Sequence, residues 1–464
     1  MNEINKIFEP KAIAVIGATQ KTDKVGYVIL RNLIDGRYAG QLYPVNPKYD
    51  EILGLKCYKT VLDIKKRVDC ALIAVPAPAV PLVVKECGLK GVKGVVILSG
   101  GFEEVGRKDL ADEIKKYAKE YNLAVIGPNC LGIYNPYNHV DSIFFPMYKL
   151  GRPRAGDISF ITQSGAVGSV MLDLAAKYNI GVSKFISYGN GTVIDECDLL
   201  EFLGKDKKTK TIILYIEGIK KGRKFLKTIN KVNKKKPIVV LKAGKGEQGK
   251  KAAVSHTGNL AGNYLAYKAA FRQAKVVEAQ DVDELFNLMR IFSQPLATGK
   301  RVGVITNGGG LGVLTTDAIE KEGLELAEFD EKIIEELKKV IPPYVNARNP
   351  LDMAADATVE SYEKTINIYL NNDKIDMIVI AVLFQTPTLD ERLINVIGKV
   401  VEQRKKPIIV VTIGGEYTEV YRKIMESKEI TTFTSPAAAI KTLRKFVEYS
   451  FYIRCKINKL CSFY

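Results

Sequence analysis

Short runs of Val, Ile and Leu alternate with amphipathic stretches of helical spacing along almost the whole chain. This alternation is typical of parallel α/β units, in which each strand is followed by a helix that covers one face of the sheet. Ten strands exceed one ordinary doubly wound sheet, so we expect an α/β protein with more than one sheet. The candidate strands are residues 13–16, 70–75, 94–98, 124–126, 158–161, 212–216, 238–241, 302–306, 377–382 and 408–413.

Two turn-rich stretches indicate joints between the expected sheets. Residues 135–156 end in closely spaced prolines and glycines, and Pro295 and Gly299 follow a helical pattern. We therefore predict boundaries near residues 135 and 298. A length of 464 residues agrees with about two to four domains. The predicted domains are residues 1–135, 136–298 and 299–464.

The composition is that of a folded, water-soluble enzyme, with 47% hydrophobic and 26% charged residues. The N-terminus lacks the basic and apolar regions of a secretory signal, and no apolar run is long enough to cross a membrane. We therefore expect a soluble cytoplasmic protein that acts away from membranes. The seven cysteines are scattered without a C-x-x-C pair, so we expect reduced thiols and no metal site.

A net charge of +17 raises the alternative of a nucleic-acid-binding protein. Much of this charge lies between Lys205 and Lys251, where seventeen basic residues accompany three acidic ones. Aromatic residues that could stack on bases are few here, and Phe225, Ile229 and Val232 recur at helical spacing. The pattern favours the solvated face of an amphipathic helix over a nucleic-acid surface.

The carboxyl ends of five consecutive strands, the second of which ends at Val45, all carry glycine, proline or small polar residues. The first turn lacks G-x-G-x-x-G and therefore does not match the fingerprint of nicotinamide-binding proteins. A purely structural turn and a ligand-binding turn explain it equally well. A helix that starts behind such a turn still offers N–H groups to a phosphate. Together the five ends favour a nucleotide-like ligand across this edge of the sheet. The residues concerned are Gly17, Ala18, Thr19, Asn46, Pro47, Lys48, Val75, Pro76, Pro78, Ser99, Gly100, Asn129 and Cys130.

Two glycine-rich turns each follow a predicted strand and open a helix. One contains Gln163, Ser164 and Gly165, and the other contains Gly309 and Gly310. Their backbone N–H groups could bind one phosphate between them, although either turn alone is more typical of an ordinary βα connection. A further segment, residues 244–251, nearly matches a P-loop. We reject it because a lysine stands where a hydroxyl must hold Mg²⁺.

The chain has only two histidines. His139 lies in an irregular segment and is expected at the surface or at a joint. His256 lies in a polar turn between Ser255 and Thr257, downstream of the basic segment. A lone histidine is more often structural, but a mobile one in a cationic setting can take a phosphoryl group if a carboxylate orients its ring. Glu217, at the end of an apolar strand, is the candidate for that carboxylate.

Four motifs together resemble the α subunit of archaeal ADP-forming acetyl-CoA synthetase, within the succinyl-CoA synthetase superfamily. They are, in chain order, Thr162-Gln163-Ser164-Gly165, Tyr215-Ile216-Glu217-Gly218, Ser255-His256-Thr257-Gly258 and Asn307-Gly308-Gly309-Gly310. The resemblance covers nearly the whole chain. It implies three Rossmann- or flavodoxin-like domains, of which the first binds coenzyme A and the second carries a phosphorylated histidine.

The same resemblance implies roles for individual residues. His256 would carry the phosphoryl group and Glu217 would hold its ring. The helix starts at residues 163–165 and 309–310 would bind phosphate. Asn129 and Cys130 would lie near the acyl thioester. The residues that would surround CoA are Gly17, Ala18, Thr19, Asn46, Pro47, Lys48, Val75, Pro76, Pro78, Ser99 and Gly100.

The implied reaction converts acetyl-CoA, ADP and phosphate into acetate, ATP and CoA through an acyl phosphate and a phosphohistidine. The ATP-grasp domains that would hold ADP and Mg²⁺ are missing from this sequence, which implies a separate β subunit and an α₂β₂ assembly. Acetate is the expected acid, and propionate, branched or aryl acids are alternatives. A rival from another class is a CoA-sensing binding module, against which His256, Glu217 and the lack of an acetyltransferase domain favour the enzyme.

Overall fold

The structure is a computed structural model that describes residues 2–251 and 262–457. Three large sheets with flanking helices are present over these residues, which confirms the predicted α/β class and its Rossmann- and flavodoxin-like architecture. The chain separates into two compact units, Met1–Glu278 and Ala279–Tyr464.

The first sheet is parallel and five-stranded, and a small antiparallel hairpin lies beside it. Its strands, with the hairpin pair β3 and β4, are β1 (Ala12–Ile16), β2 (Gln41–Val45), β3 (Glu51–Ile52), β4 (Leu55–Lys56), β5 (Cys70–Ile73), β6 (Gly94–Ile97) and β7 (Ala124–Ile126). The strand order is β2-β1-β5-β6-β7. The helices of this region are α1 (Asn2–Phe8), α2 (Val25–Asp35), α3 (Val80–Leu89) and α4 (Lys108–Glu120).

The second sheet has seven strands. They are β8 (Ile133–Asn135), β9 (Val140–Asp141), β10 (Ala155–Thr162), β11 (Val182–Ser187), β12 (Thr211–Ile216), β13 (Ile238–Lys242) and β14 (Val277–Ala279). Their order is β14-β13-β12-β10-β11-β8-β9; the pairs among β10 to β13 are parallel, while β8 pairs antiparallel with β9 and β11. Over the described residues, the helices of this region are α5 (Gly165–Lys177), α6 (Glu196–Lys205), α7 (Gly222–Val232) and α8 (Tyr264–Ala274).

The first two sheets share one hydrophobic core. Buried residues of α1 and β1 belong to the same cluster as residues of β10, β12 and α6. Phe8 and Phe202 stack across it with ring centroids 5.2 Å apart. This shared core explains why both sheets fall within one compact unit, and the domain boundaries near residues 135 and 298 remain predictions.

The third sheet lies in the second unit and is parallel. The helices are α9 (Val282–Ile291), α10 (Gly309–Lys321), α11 (Glu331–Lys338), α12 (Val359–Asn371), α13 (Arg392–Glu402), α14 (Glu416–Ser427) and α15 (Pro436–Ile457). The strands are β15 (Arg301–Thr306), β16 (Glu325–Leu326), β17 (Leu351–Asp352), β18 (Met377–Ala381), β19 (Ile408–Val411) and β20 (Thr432–Phe433). Their order is β16-β15-β18-β19-β20, with β17 paired to β15.

All ten predicted strands coincide with observed ones, but the sequence pattern did not predict β11. Lys184 interrupts its apolar run, yet the side chain is only 2% exposed and its Nζ lies 2.7 Å from Asp206 Oδ2. Burial alone would raise the pKa of Asp206, but hydrogen bonds from Lys184 and Thr209 hold this pKa below its ordinary value. A buried lysine neutralised in this way lets a polar residue occupy a central strand.

Two further expectations can be compared with the structure. The basic stretch contains the amphipathic helix α7, whose Phe225, Ile229 and Val232 are buried, as predicted. Five cysteines are free and buried, in agreement with the expectation of reduced thiols. That expectation is wrong for Cys455, which forms a disulfide bond. Among the described helices, none combines the length and the apolar character that a membrane span requires.

Candidate functional site

The first turn at the carboxyl edge of the first sheet packs tightly against α2. Gly17 follows β1 with a φ of 92°, a left-handed conformation that favours glycine. A Cβ on Gly17 would lie 2.5 Å from Ala74 O, and a Cβ on Gly26 would lie 2.0 Å from Gly17 O. The two glycines therefore allow α2 to begin directly behind the turn. Its start lies at the edge where open α/β sheets bind their ligands.

The turn after β2 is bonded to this first turn. Asn46 Nδ2 donates to Ala18 O at 2.7 Å, and Asn46 Oδ1 accepts from the Lys48 N–H at 3.0 Å. The Thr19 hydroxyl lies 3.2 Å from the Tyr49 hydroxyl, so a tyrosine closes the same corner. The structure thereby brings together six of the predicted CoA-binding residues: Gly17, Ala18, Thr19, Asn46, Pro47 and Lys48.

Ser99 connects the ends of the next strands along the edge. Its Oγ donates to Val75 O at 2.5 Å, and its carbonyl accepts from the Asn129 N–H at 2.9 Å. A Cβ on Gly100 would lie 3.2 Å from Asn129 Oδ1, so glycine lets the Asn129 side chain approach. Of the remaining predicted residues, Pro76 precedes the short 3₁₀ helix Ala77–Ala79 that follows β5, and Pro78 lies within it.

Asn129 and Cys130 end the first sheet in different environments. Asn129 has a φ of 58°, a left-handed conformation that asparagine tolerates better than most residues. Cys130 is buried, and its Sγ donates to Ile97 O at 3.2 Å. Burial raises the pKa of Cys130 to about 12, so the thiol is protonated at neutral pH. Asn129 is therefore the residue of the pair that could meet a substrate, and Cys130 contributes packing.

A side-chain bridge joins the first sheet to the loop between β11 and α6. Glu104 Oε1 accepts from the Gly101 N–H at 2.5 Å, and Glu104 Oε2 accepts from Asn190 Nδ2 at 2.6 Å. Asn190 Oδ1 accepts from Asn129 Nδ2 at 3.4 Å. Lys220 Nζ donates to the Asn190 carbonyl at 3.2 Å. Glu104 and Asn190 could not be predicted as site residues, because their contacts span 86 and 61 residues of chain and no local motif marks them.

The helix start after β10 has the form of an anion site. Ser164 is the N-cap of α5, and its Oγ accepts from the Val167 N–H at 3.3 Å. Gly165 and Ala166 come next and are accessible to solvent. Their backbone N–H groups belong to the first turn, where an α-helix has no internal acceptors and carries a partial positive charge. This start could therefore bind phosphate through backbone groups.

The loop after β12 holds Glu217 in a buried position. Glu217 is 6% exposed, and the Tyr215 hydroxyl donates to its Oε1 at 3.4 Å. The Gln163 side chain is bonded to this same loop through both its amide oxygen and its amide nitrogen. Gln163 therefore shapes the Glu217 loop, and any contact of Gln163 with phosphate remains a prediction. His256, predicted to face Glu217, lies outside the described residues.

A cavity of about 190 Å³ opens between the loops that follow β10, β11 and β12. Burial is the main reason that the pKa of Glu196 rises to about 7, and the neighbouring Asp195 charge raises it further. Asp195 itself is buried, but hydrogen bonds from Asp198 and Lys224 keep its pKa below the ordinary value. Two adjacent carboxyl groups with pKa values moved apart are typical of functional sites. The lining includes Lys115, Gln163, Tyr188, Asn190, Glu196 and Lys220.

Two further observations concern His139 and the capacity to bind a metal ion. His139 is exposed in the β8–β9 turn with a φ of 60°, which agrees with the surface position expected for it. Within residues 2–251 and 262–457, no group of three or more His, Cys, Asp or Glu side chains could hold a metal ion.

In the second unit, α10 also starts directly after a strand, but its N-cap is Gly308 and provides no side-chain hydrogen bond. Asn307 Nδ2 donates to Leu383 O at 3.0 Å, and its Oδ1 accepts from the Leu383 N–H at 2.9 Å. This pair fixes the end of β15 against the end of β18. A Cβ on Gly309 would lie 2.8 Å from Asp352 Oδ2, whereas Gly310 meets nothing within 4 Å. Gly309 and Gly310 are thus accessible at the start of α10, and phosphate binding by this start remains a prediction.

Three protein-family models match successive parts of the chain. A CoA binding domain matches residues 11–136, a succinyl-CoA ligase-like flavodoxin domain matches residues 155–292, and a ligase-CoA domain matches residues 302–437. The three matches correspond to the three sheets of the structure.

Proteins with similar sequences and structures agree with these matches. An ADP-forming acetate–CoA ligase of Methanocaldococcus jannaschii is 43% identical over 97% of this chain, which spans 63% of that protein's length. The α subunit of an ADP-forming acetate–CoA ligase II of Pyrococcus furiosus is 42% identical over 93% of this chain and 95% of its own length. A dinucleotide-forming acetyl-coenzyme A synthetase 1 of Ca. Korarchaeum cryptofilum, solved with phosphate and ADP, is 35% identical with a TM-score of 0.92 over 100% of both chains. The resemblance indicated by the four motifs is thus confirmed, and the chain belongs to the family of ADP-forming acetate–CoA ligases.

Proposed function

We propose that this chain is the α subunit of an ADP-forming acetate–CoA ligase, which converts acetyl-CoA, ADP and phosphate into acetate, ATP and CoA. The single observation that carries the proposal is the position of Glu217. This carboxyl group is buried at the carboxyl edge of the second sheet, in a loop bonded through Gln163 to the turn that starts α5. A site for phosphate and a carboxylate that could orient a histidine are therefore adjacent in one unit.

The acyl-transfer step uses the edge of the first sheet. CoA would lie along the corner formed by residues 17–19 and 46–48, with its thioester end toward Asn129. Phosphate, held by the N–H groups at the start of α5, would attack the acyl carbonyl carbon, and the carbon–sulfur bond would break. CoA leaves as a thiolate that takes up a proton, and an acyl phosphate remains. The helix start stabilises the negative charge that develops in this step.

The phosphoryl-transfer step assigns a role to Glu217. A ring nitrogen of His256 would attack phosphorus, and the bond from phosphorus to the acyl oxygen would break, releasing the organic acid. A carboxylate on the other ring nitrogen would fix the tautomer and stabilise the positive charge on the ring. We assign this role to Glu217. ADP would then accept the phosphoryl group, which regenerates the free histidine and forms ATP.

The proposal includes a partner subunit and a location. The Pyrococcus furiosus relative carries the name of an α subunit and has nearly the same length as this chain. We propose a β subunit that supplies the ATP-grasp fold and holds ADP with Mg²⁺, in an α₂β₂ assembly within the cytoplasm. Acetate is the proposed acid. The division of this chain at about residues 135 and 298 is proposed to separate the CoA-binding, histidine-bearing and third domains.

Formation of phosphohistidine tests the proposal directly. The chain, with and without its β partner, is incubated with acetyl-CoA and radiolabelled phosphate, and acid-labile label on the protein is measured. We expect label on the wild type and none on His256→Ala. His139→Asn is the matched control, because it changes the other histidine and keeps a residue type that tolerates the positive φ of this position.

Three outcomes can be distinguished. Loss of label in His256→Ala together with normal labelling of His139→Asn supports the proposal. Equal labelling of both variants would place the phosphoryl group elsewhere and refute the assigned role. The third outcome is a wild type that binds CoA but takes no label from any acyl-CoA, with or without the β partner. This outcome would refute the proposed ligase activity and favour a CoA-binding module.

A further inference from the structure

The backbone of residues 217–219 is held by side chains from three other elements. The N–H groups of Glu217 and Gly218 both donate to Gln163 Oε1, at 2.5 and 3.1 Å, and Gln163 Nε2 donates to Gly218 O at 2.9 Å. Lys242 Nζ, at the end of β13, donates to Glu217 O at 2.7 Å. The Tyr267 hydroxyl, on α8, accepts from the Ile219 N–H at 2.9 Å. Every polar backbone group from Glu217 N to Ile219 N is therefore bonded to a side chain.

Lys242 is the unusual member of this group. Its side chain is 1% exposed, and its Nζ lies 4.7 Å from the centroid of the Tyr267 ring. It also donates to the carbonyl of Ala243. Burial lowers the pKa of Lys242 to about 8, with the Glu217 charge acting in the opposite direction. Burying an amine destabilises the fold, so an apolar residue would suit the end of this strand better if the position served packing alone.

The second sheet contains a buried lysine of the ordinary structural kind for comparison. Lys184 is 2% exposed and lies 2.7 Å from the carboxylate of Asp206, and it precedes the carboxyl end of β11 by three residues. Lys242 instead directs its amine to the main chain of the loop that carries Glu217. A cation that donates to a carbonyl fixes that carbonyl more strongly than a neutral donor does. Because the Glu217 carboxylate belongs to the same residue as this carbonyl, its position is fixed as well.

We propose that Lys242 is a positioning residue for phosphoryl transfer, because its ammonium group locks the main chain of Glu217 and thereby sets the place of the Glu217 carboxylate. Tyr267 completes the lock from α8, and Gln163 completes it from the turn before α5. This inference rests on the proposed function. It assigns to Lys242 and Tyr267 a role that is confined to the histidine half of the reaction, since neither residue contributes to the edge of the first sheet.

The test separates the two half-reactions in the assembled enzyme. Release of CoA from acetyl-CoA and phosphate reports the first step, and acid-labile label on the protein reports the second. We expect Lys242→Met to slow labelling by about 10- to 100-fold, the range for loss of a charged hydrogen bond. CoA affinity, measured by calorimetry, should stay within about twofold of wild type. Glu217→Gln should also slow labelling while CoA release stays near the wild-type rate. The double variant of Lys242→Met and Glu217→Gln should take label no more slowly than the slower single variant.

Matched variants keep the test decisive. Lys184→Met removes the other buried lysine of the same sheet, and its labelling rate should stay near wild type even if its stability falls. Tyr267→Phe removes the bond to Ile219 with little change in volume and should slow labelling by about three- to tenfold, so it replaces Lys242→Met if that variant does not fold. Normal labelling by Lys242→Met or Tyr267→Phe overturns the inference while the proposed function stands. Failure of the wild type to take label refutes the proposed function itself.

Discussion

Replacing Glu196 by glutamine should make the protein more stable than the wild type at alkaline pH. At acidic pH the variant should have no such advantage. Glu196 is 5% exposed in the first turn of α6, and its pKa is raised from 4.5 to about 7, first by burial and then by the charge of Asp195. At about 1.4 kcal/mol per pH unit, this rise corresponds to about 3 kcal/mol. Glutamine has nearly the shape of the neutral acid and never ionises.

The sign follows from proton binding. Because the pKa in the folded state lies above that in the unfolded chain, the unfolded chain releases its proton first as the pH rises. Between about pH 4.5 and 7 the folded state therefore holds more protons, and the free energy of unfolding of the wild type falls by about 3 kcal/mol in total. The Glu196→Gln variant lacks this loss. Its stability relative to wild type should rise by about 3 kcal/mol between pH 4 and pH 8.

Urea unfolding at pH 4, 6 and 8, followed by far-ultraviolet circular dichroism, measures the difference. Glu201→Gln on the same helix is the control, because its carboxylate is 37% exposed and solvent screens its charge. We expect the control to change by less than about 1 kcal/mol over this range. A stability difference between Glu196→Gln and wild type that is the same at pH 4 and pH 8 would show that Glu196 does not titrate as argued.

Two other substitutions in the first unit test a close backbone contact and a buried ion pair. Gly26→Ala places a Cβ 2.0 Å from Gly17 O, so it should lower the free energy of unfolding by about 1–3 kcal/mol and weaken CoA binding in calorimetry, whereas Gly222→Ala, with open space around it, should do neither. Asp141→Asn leaves the guanidinium of Arg152, which lies 2.6 Å from Asp141 Oδ2, buried without a counter-charge, and should destabilise the protein by about 3–5 kcal/mol in urea unfolding. Combining Asp141→Leu with Arg152→Met should recover most of that loss, and a failure to recover it would contradict the electrostatic explanation.

The parts of the fold that could be predicted are those with a local pattern. Apolar runs identified ten strands because a buried parallel strand is continuous in hydrophobic residues. β11 was missed because Lys184 breaks such a run, and only the fold reveals that Asp206 neutralises it. The short strands β8 and β9 were missed for another reason, since two or three residues carry too little periodicity to be distinguished from a turn.

The residues of the candidate site also divide into those with a local sequence pattern and those that depend on long-range contacts. Helix starts such as residues 163–165 could be found because glycine, serine and a preceding strand form a local signature. The structure then showed that the Gln163 side chain is bonded to the loop after β12, 54 residues away. The contribution of Lys242 was equally hidden, because its contact with Glu217 depends on the parallel pairing of β12 and β13. Long-range contacts of this kind leave no periodicity in a single sequence.

The shared core of the first two sheets has a consequence for the proposed reaction. The acyl group must pass from CoA at the edge of the first sheet to phosphate at the start of α5, so the two edges must keep a fixed separation. Asn190 receives a bond from Asn129 on one side and gives one to Glu104, while its carbonyl accepts from Lys220, three residues after Glu217. A rearrangement of either edge would break at least one of these bonds. The shared core and these bonds hold the first two sheets as one structural block, which is the fixed geometry that acyl transfer requires in the proposed reaction.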